Sequence, residues 1–179
     1  KGIIGMNEPG SQASSSTRLI LLDSTSRSEA AHNLGVDNLP PCSITMGIKT
    51  ILGARKVFLL AWGEDKAEII RKTVEEKITD TLPASYLQMH TNAVVCTDLA
   101  AAAYLTRIQR PWLVTNCEWN NKLIRSAIVW LCQTLGKPIL KLTNKDYNDN
   151  GLSELLALYG SAYNVNIKVF NDLQHTITG

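Results

Sequence analysis

Three stretches of the sequence set reactive side chains among the glycines and prolines that turn a backbone. Gly2-Ile3-Ile4-Gly5-Met6-Asn7-Glu8-Pro9 puts a carboxylate, Glu8, in a glycine-flanked turn beside a proline. Leu39-Pro40-Pro41-Cys42-Ser43-Ile44-Thr45-Met46-Gly47 joins a double proline to a thiol, two hydroxyls and a glycine. Leu59-Leu60-Ala61-Trp62-Gly63-Glu64-Asp65-Lys66-Ala67 leaves an apolar run through Trp62-Gly63 and arrives at a lysine. An ammonium in the first turn of a helix, beside backbone N–H groups without intrahelical partners, suits a dianion. The same Lys66 would serve equally as a solvated charge balancing Glu64 and Asp65. Glu8, taken by itself, reads as a turn carboxylate that caps nearby N–H groups. His32 reads as a helical, partly exposed histidine, charged only near or below pH ~6.5. His90 belongs with a packed turn, and His175 with the solvated end of the chain.

These side chains need elements to hold them. Pro9 to Thr17 is a polar, turn-rich loop. Arg18–Asp23 reads as a strand and Ser26–Leu34 as a short helix. After the break at Pro40-Pro41, a short strand over Ser43–Met46, a helix opening over Gly47–Leu52 and a buried strand over Lys56–Ala61 follow. Gly63 ends that strand; Glu64 and Asp65 then occupy a first helical turn, with Ala67, Ile70 and Val74 on one face. Pro83 to Met89 is a short helical piece, Ala93–Cys96 another buried strand, and Asp98–Thr106 an Ala-rich helix. Strands alternating with helices at this spacing predict a parallel sheet covered on both faces. In such sheets ligands bind outside the carboxyl ends of the strands, so the strand-end segments are where a site is sought.

From Arg110 the texture changes. Trp112–Thr115 reads as one more short strand. Thr115 and Glu118 have capping-box spacing, and Leu123, Ala127, Leu131 and Leu135 line a helix face. Gly136 followed by Pro138 stops that helix. Asp149-Asn150-Gly151 is a turn. Leu152, Leu155, Leu156 and Tyr159 form another amphipathic helix ending at Gly160, and residues 163–173 supply a last one. The organisation is therefore an α/β domain over 1–109 and an α-rich extension or connector over 110–179.

The three reactive segments, in this order, resemble the glucosamine-6-phosphate deaminase (isomerase) family. The resemblance continues through Ala84-Ser85-Tyr86-Leu87-Gln88-Met89-His90 and the strand ending at Asp98, and covers roughly residues 2–105. It implies the second half of that fold, a Rossmann-like three-layer sheet with helices on both faces. It also implies conversion of an amino-sugar phosphate to a ketose phosphate and ammonia by general acid–base chemistry. Residue by residue, Lys66 matches the lysine that contacts the sugar phosphate, and Glu8 the glutamate that supports a ring-opening histidine. His32 stands where the family often has a second phosphate-binding arginine. Ile3 stands in place of the histidine itself, Lys1 in place of a carboxylate, and Lys49 in place of a small residue.

The family's glycine-rich phosphate loop and its carboxylate base belong to an N-terminal half absent from this sequence. The chain alone is therefore expected to be inactive. The run Lys137-Pro138-Ile139-Leu140-Lys141-Leu142-Thr143, with Tyr147 and Asn148 and the closing Gln174–Gly179, resembles a connector in bacterial fusions to an LmbE-like, zinc-dependent N-deacetylase domain. The alternative reading is a catalytically degenerate sugar-phosphate-binding or scaffold domain.

Composition narrows the field. The 179 residues are 45% hydrophobic and 19% charged with a net charge of +2, ordinary for a globular protein. No Lys/Arg run marks a nucleic-acid surface, and no apolar run approaches the roughly 18 residues of a membrane span. The cysteines at 42, 96, 117 and 132 form no Cys-x-x-Cys pair and have no histidine at zinc spacing. Cys42 and Cys96 read as small buried thiols, which points to a reducing, cytoplasmic setting. No cofactor and no metal are expected; the partner is a small-molecule amino-sugar phosphate, with neither nucleic acid nor membrane. The chain opens on Lys1 rather than Met and reads as a piece of a longer protein. Strand edges left open by a missing half invite association, so a homo-oligomer is expected.

Overall fold

The computed structural model describes residues 2–37 and 39–178; Lys1 and Gly179, both used in the sequence reading, lie outside the described residues. The chain divides into Lys1–Leu105 and Thr106–Gly179.

In the first unit, strand β1 (Arg18–Leu21) and strand β2 (Cys42–Thr45) pair antiparallel, Arg18 opposite Thr45 and Leu21 opposite Cys42. Helix α1 (Ser24–Leu34) lies between them in sequence. It starts at Asp23, whose carboxylate accepts the Ser26 N–H at 2.7 Å and so satisfies a donor that a first turn leaves unpaired. It stops at Gly35, where φ is 66°, a left-handed cap that glycine adopts without strain. None of its residues is buried. Helix α2 (Ile48–Leu52) leaves β2 through Gly47. A Cβ on Gly47 would stand 2.1 Å from the Ser15 carbonyl oxygen, so glycine is required. That approach lets Ser15 Oγ and the Ser15 carbonyl accept the Ile48 and Lys49 N–H groups, each at 3.0 Å.

Strand β3 (Val57–Ala61) and strand β4 (Ala93–Thr97) pair in parallel, Val57 with Ala93 through Ala61 with Thr97. The long crossover that a parallel pair requires holds a 3-10 turn (Glu64–Lys66), helix α3 (Ala67–Glu75) and a 3-10 segment (Pro83–Met89). Helix α3 buries Ala67, Ile70 and Thr73; Val74, expected on that face, is turned out and exposed. Asp98 caps α4 (Leu99–Ala102), which ends well before the expected Thr106. The core gathers Ile4, Ile48, Ala84 and Leu87, with Val57, Leu59 and Ala93 packed against it.

Strands covered on both faces were the expectation, with all strands parallel. Instead there are two separate two-stranded ladders, one of them antiparallel. Along β3 the side chains alternate, and Phe58 and Leu60 are each 57% exposed. Leu19, Leu21 and Ile44 are exposed on the β1–β2 ladder. Alternation along a strand sends every second side chain to the opposite face, and this chain supplies cover for one face only. For the same reason Cys42 and Cys96 are half-buried rather than buried.

The second unit is helical: α5 (Thr106–Gln109), α6 (Asn121–Leu135), α7 (Asn144–Asp149), α8 (Ser153–Tyr159) and α9 (Ala162–Thr178). Trp112–Thr115 is not a strand. Pro111–Leu113 forms a 3-10 turn that carries Trp112 into ring contact with Trp119 and Trp130, centroids 6.3 and 5.6 Å away. Nor does the Thr115/Glu118 spacing start α6; Asn120 does, accepting the Leu123 N–H at 2.8 Å. The buried stripe of α6 is Ile124, Ala127, Ile128 and Leu131. Gly136 and Gly160, at φ of 63° and 82°, stop α6 and α8 as expected. The connector-like run contains two further elements that sequence reading missed, a 3-10 turn (Ile139–Lys141) and α7, the latter opened by a capping box of Thr143 and Asp146. Inside this unit the buried Tyr147 hydroxyl donates to Asn166 Oδ1 at 2.7 Å, and Asn166 Nδ2 donates to the Leu142 carbonyl at 2.9 Å. Burial pushes the Tyr147 phenol well above its ordinary range. No helix among the described residues is long and apolar enough to cross a membrane.

Candidate functional site

A cleft of about 950 Å³ opens in the first unit at the carboxyl end of β3. One wall is α1, through Ser28, Glu29, His32 and Asn33; the other is Lys66 with Ile69, Ile70 and Thr73 of α3. Leu59 to Trp62 line it from the strand, and Gly2 and Ile3 close one side. Gly2 sits at φ 64°, its carbonyl accepts the Ala84 N–H at 2.9 Å, and any Cβ there would meet Leu82 at 1.9 Å. Glycine is thus what brings Ile3 to the cleft.

The structure brings Lys66 and His32 into this one cleft. Lys66 follows the turn at Gly63 (φ 92°), half-exposed and ion-paired to Asp65, whose carboxyl is held below its ordinary range mainly by that hydrogen bond. Lys66 therefore has a carboxylate neighbour that an arriving anion must displace. Asp98 fixes the turn: its carboxylate accepts the Gly63 N–H at 3.2 Å and the Ala101 N–H at 2.8 Å. The helix cap of α4 and the end of β3 are thus locked by one side chain.

Glu8 is not brought to Lys66 and His32. It lines a second cleft of about 550 Å³ with Ser11, Ser15 and Arg18, and its Oε1 accepts the Asp23 N–H at 3.3 Å. Since Asp23 caps α1, Glu8 touches the start of the helix that carries His32. Its neighbour Asn7 is fully buried: Nδ2 donates to the carbonyls of Ile4 (3.0 Å) and Met46 (2.7 Å), while Oδ1 accepts from Arg18 at 2.9 Å. Arg18 also donates to Ser11 Oγ at 3.1 Å. His90 bridges turns as the sequence suggests, its ring nitrogens meeting the Ala54 carbonyl at 2.7 Å and the Asn92 N–H at 3.0 Å. Lys49 lies in α2 outside both clefts. Sequence reasoning named Asn7 only as part of the turn with Glu8, and passed over Arg18, Trp62, Glu29 and the clamp at Asp98. Only Asp98 had a local signal, an acid directly before an Ala-rich helix. Among the described residues no group of three or more His, Cys, Asp or Glu is placed to hold a metal.

Helices and small sheets, with a mixed-charge cleft at a strand's carboxyl end, define an α/β domain similar to the NagB superfamily in the solved structure of a monomeric glucosamine-6-phosphate deaminase. That likeness has 38% identity and a TM-score of 0.54, over 57% of this chain and 43% of the other. Residues 19–96 match the model of the glucosamine-6-phosphate isomerase/6-phosphogluconolactonase family. A glucosamine-6-phosphate deaminase-like protein of Bacteroides thetaiotaomicron is 72% identical over 99% of this chain and 27% of its own length. Glucosamine-6-phosphate deaminases of Lacticaseibacillus paracasei and Shewanella woodyi are 42% and 49% identical, each over 59% of this chain and over 45% and 40% of their own lengths. The family model thus matches under half of the chain, and these relatives are what the chain is similar to. The chain spans about a quarter of the first relative and under half of the other two.

Proposed function

We propose that the protein carrying this chain binds an amino-sugar phosphate in the Lys66 cleft, with the phosphate on Lys66 and His32. In the full family chemistry that ligand is glucosamine 6-phosphate, opened and isomerised to a ketose phosphate with release of ammonia. The observation that carries the reading is the convergence of Lys66 and His32, separated in sequence by β2, α2 and β3, on one cleft. Glu8, at the foot of α1, supports the site by holding Asp23. The exposed Phe58, Leu60, Leu19 and Ile44 support a further proposal: in the intact protein both ladders join one Rossmann-like, three-layer sheet.

A second reading is a degenerate binding domain. Ile3 lines the same cleft at the position aligned with the family's histidine, and a hydrocarbon neither accepts nor donates a proton. Calorimetric titration of the intact protein with glucosamine 6-phosphate, with ammonia measured in parallel, separates the two. Binding with release supports the deaminase; binding without release supports the degenerate domain, and absence of binding refutes both.

Residues 110–179 are proposed to connect to an LmbE-like deacetylase domain, on the likeness of Lys137–Thr143 to such connectors. Zinc analysis of the intact protein tests this, and a metal-free protein without deacetylase activity overturns it. A cytoplasmic setting and self-association complete the proposal. Cell fractionation and sedimentation test them, and an envelope-bound or strictly monomeric protein would count against each in turn.

A further inference from the structure

We propose that Glu29 is the specificity residue of the Lys66 cleft, accepting the ammonium group of the sugar and so selecting a free amine over a hydroxyl or an acetamide. The inference rests on the sugar-phosphate reading of the cleft and names what that reading leaves open.

Among the described residues, three ionisable side chains line the cleft: Lys66, His32 and Glu29. The first two attract a phosphate; the third repels it. A carboxylate in a phosphate site costs affinity for any ligand that carries only negative charge. The cost becomes a gain when the same ligand also carries a cation, because charge-assisted hydrogen bonds are the strong ones. A phosphate dianion joined to an ammonium matches this set of groups, whereas a sugar phosphate with a hydroxyl in place of the amine does not.

Placement agrees with that role. Glu29 stands one helical turn before His32 in α1, and residues three apart on a helix are neighbours on its surface. Anion and cation therefore face the cleft side by side and can engage different ends of one small molecule. Among the described residues neither side chain makes a hydrogen bond or ion pair within the protein. Packing does not explain the residue either, since α1 buries nothing. The opposite wall, which carries Lys66, also presents apolar surface, with Ile69 and Ile70 of α3 and Trp62, 58% exposed, lining the cleft. Apolar surface lowers the local dielectric and strengthens a charge pair formed against it.

The test is calorimetric titration of the intact protein with glucosamine 6-phosphate, glucose 6-phosphate and N-acetylglucosamine 6-phosphate. It is run at about pH 6.5, below the ~7.7–8.0 of an ordinary α-amino group, so that the sugar amine is charged. Wild-type protein should prefer glucosamine 6-phosphate over each of the others about tenfold, equivalent to about 1.4 kcal/mol. Glu29→Gln keeps the size of the side chain at an exposed helix position and removes its charge. It should bring the ratio close to unity, weakening the amine ligand and strengthening glucose 6-phosphate. If all three ligands bind and the ratio is the same in Glu29→Gln, the role of Glu29 is overturned while the sugar-phosphate site stands. If none binds to wild-type protein, the site itself is refuted and the inference falls with it.

Discussion

Asn7→Ala is the substitution whose cost follows most directly from the structure. Asn7 is 0% exposed and its amide makes three hydrogen bonds, to the Ile4 and Met46 carbonyls and from Arg18. An intramolecular hydrogen bond contributes about 1 kcal/mol net, and a buried acceptor left without a donor costs about 1–3 kcal/mol. Alanine removes all three bonds, at about 1 kcal/mol each, but strands none of the partners: the Ile4 carbonyl keeps the backbone N–H of residue 7 at 3.1 Å, the Met46 carbonyl keeps the Thr45 hydroxyl at 3.3 Å and Arg18 keeps Ser11. The sum is a loss of about 3 kcal/mol, discounted for the access of Arg18 to water. The damage also has a direction. Asn7 ties the Gly2–Pro9 turn to the carboxyl end of β2, so its loss frees Ile3 at the cleft as well as lowering stability. Urea denaturation of the intact protein, followed through a probe in the first unit, reads the first effect. Hydrogen exchange at Met6, whose N–H donates to Thr45 Oγ1 at 3.1 Å, reads the second. Asn7→Asp keeps the acceptor for Arg18 but turns a donor into an acceptor against two carbonyls, and should be no milder. A loss below about 1 kcal/mol for Asn7→Ala, the worth of a single ordinary hydrogen bond, would refute this account of the turn.

Three more outcomes follow. Asp98→Ala removes the cap of α4 and the acceptor of the Gly63 N–H, and should cost about 1–2 kcal/mol while weakening sugar-phosphate binding through the Lys66 turn; unchanged affinity would refute the link between clamp and turn. Tyr147→Phe leaves Asn166 Oδ1 buried without its donor and should cost about 1–3 kcal/mol in denaturation; a change under about 0.5 kcal/mol would mean the network is relieved some other way. The Asp146 carboxyl is drawn down to about 2, first by the Lys137 ammonium at 2.7 Å and then by the Thr143 N–H. Because this folded value lies below the ~3.9 of an unfolded aspartate, its contribution is present above ~3.9 and lost as pH falls toward about 2. Thermal melting of wild type and Asp146→Asn should therefore differ at neutral pH and converge in acid; a gap that ignores pH would exclude the ion pair as its source.

Sequence by itself determined the local events. Gly136 and Gly160 end their helices where expected, because a left-handed cap is a property of one residue and its neighbours. The strands near Arg18–Leu21 and Val57–Ala61 and the helix after Gly63 were legible from apolar periodicity, and so was the placing of Lys66 at a strand-to-helix turn. Where two local signals competed, sequence alone chose badly. Thr115 with Glu118 has the spacing of a capping box, yet Asn120 starts α6 because the buried stripe begins at Ile124. Trp112 has strand character, yet Pro111 and the contacts with Trp119 and Trp130 make a 3-10 turn.

Tertiary structure decided what depends on residues distant in the chain. Nothing near Glu8 announces that it holds Asp23, nor anything near Gly2 that its missing Cβ makes room for Leu82. It also separated Glu8 from Lys66 and His32, and brought Glu29 and Ile3 to them. The exposed faces of β3 and of the β1–β2 ladder were equally out of reach of periodicity. A continuous apolar run states that a strand can be buried on both faces, and whether anything lies against each face depends on the other elements present.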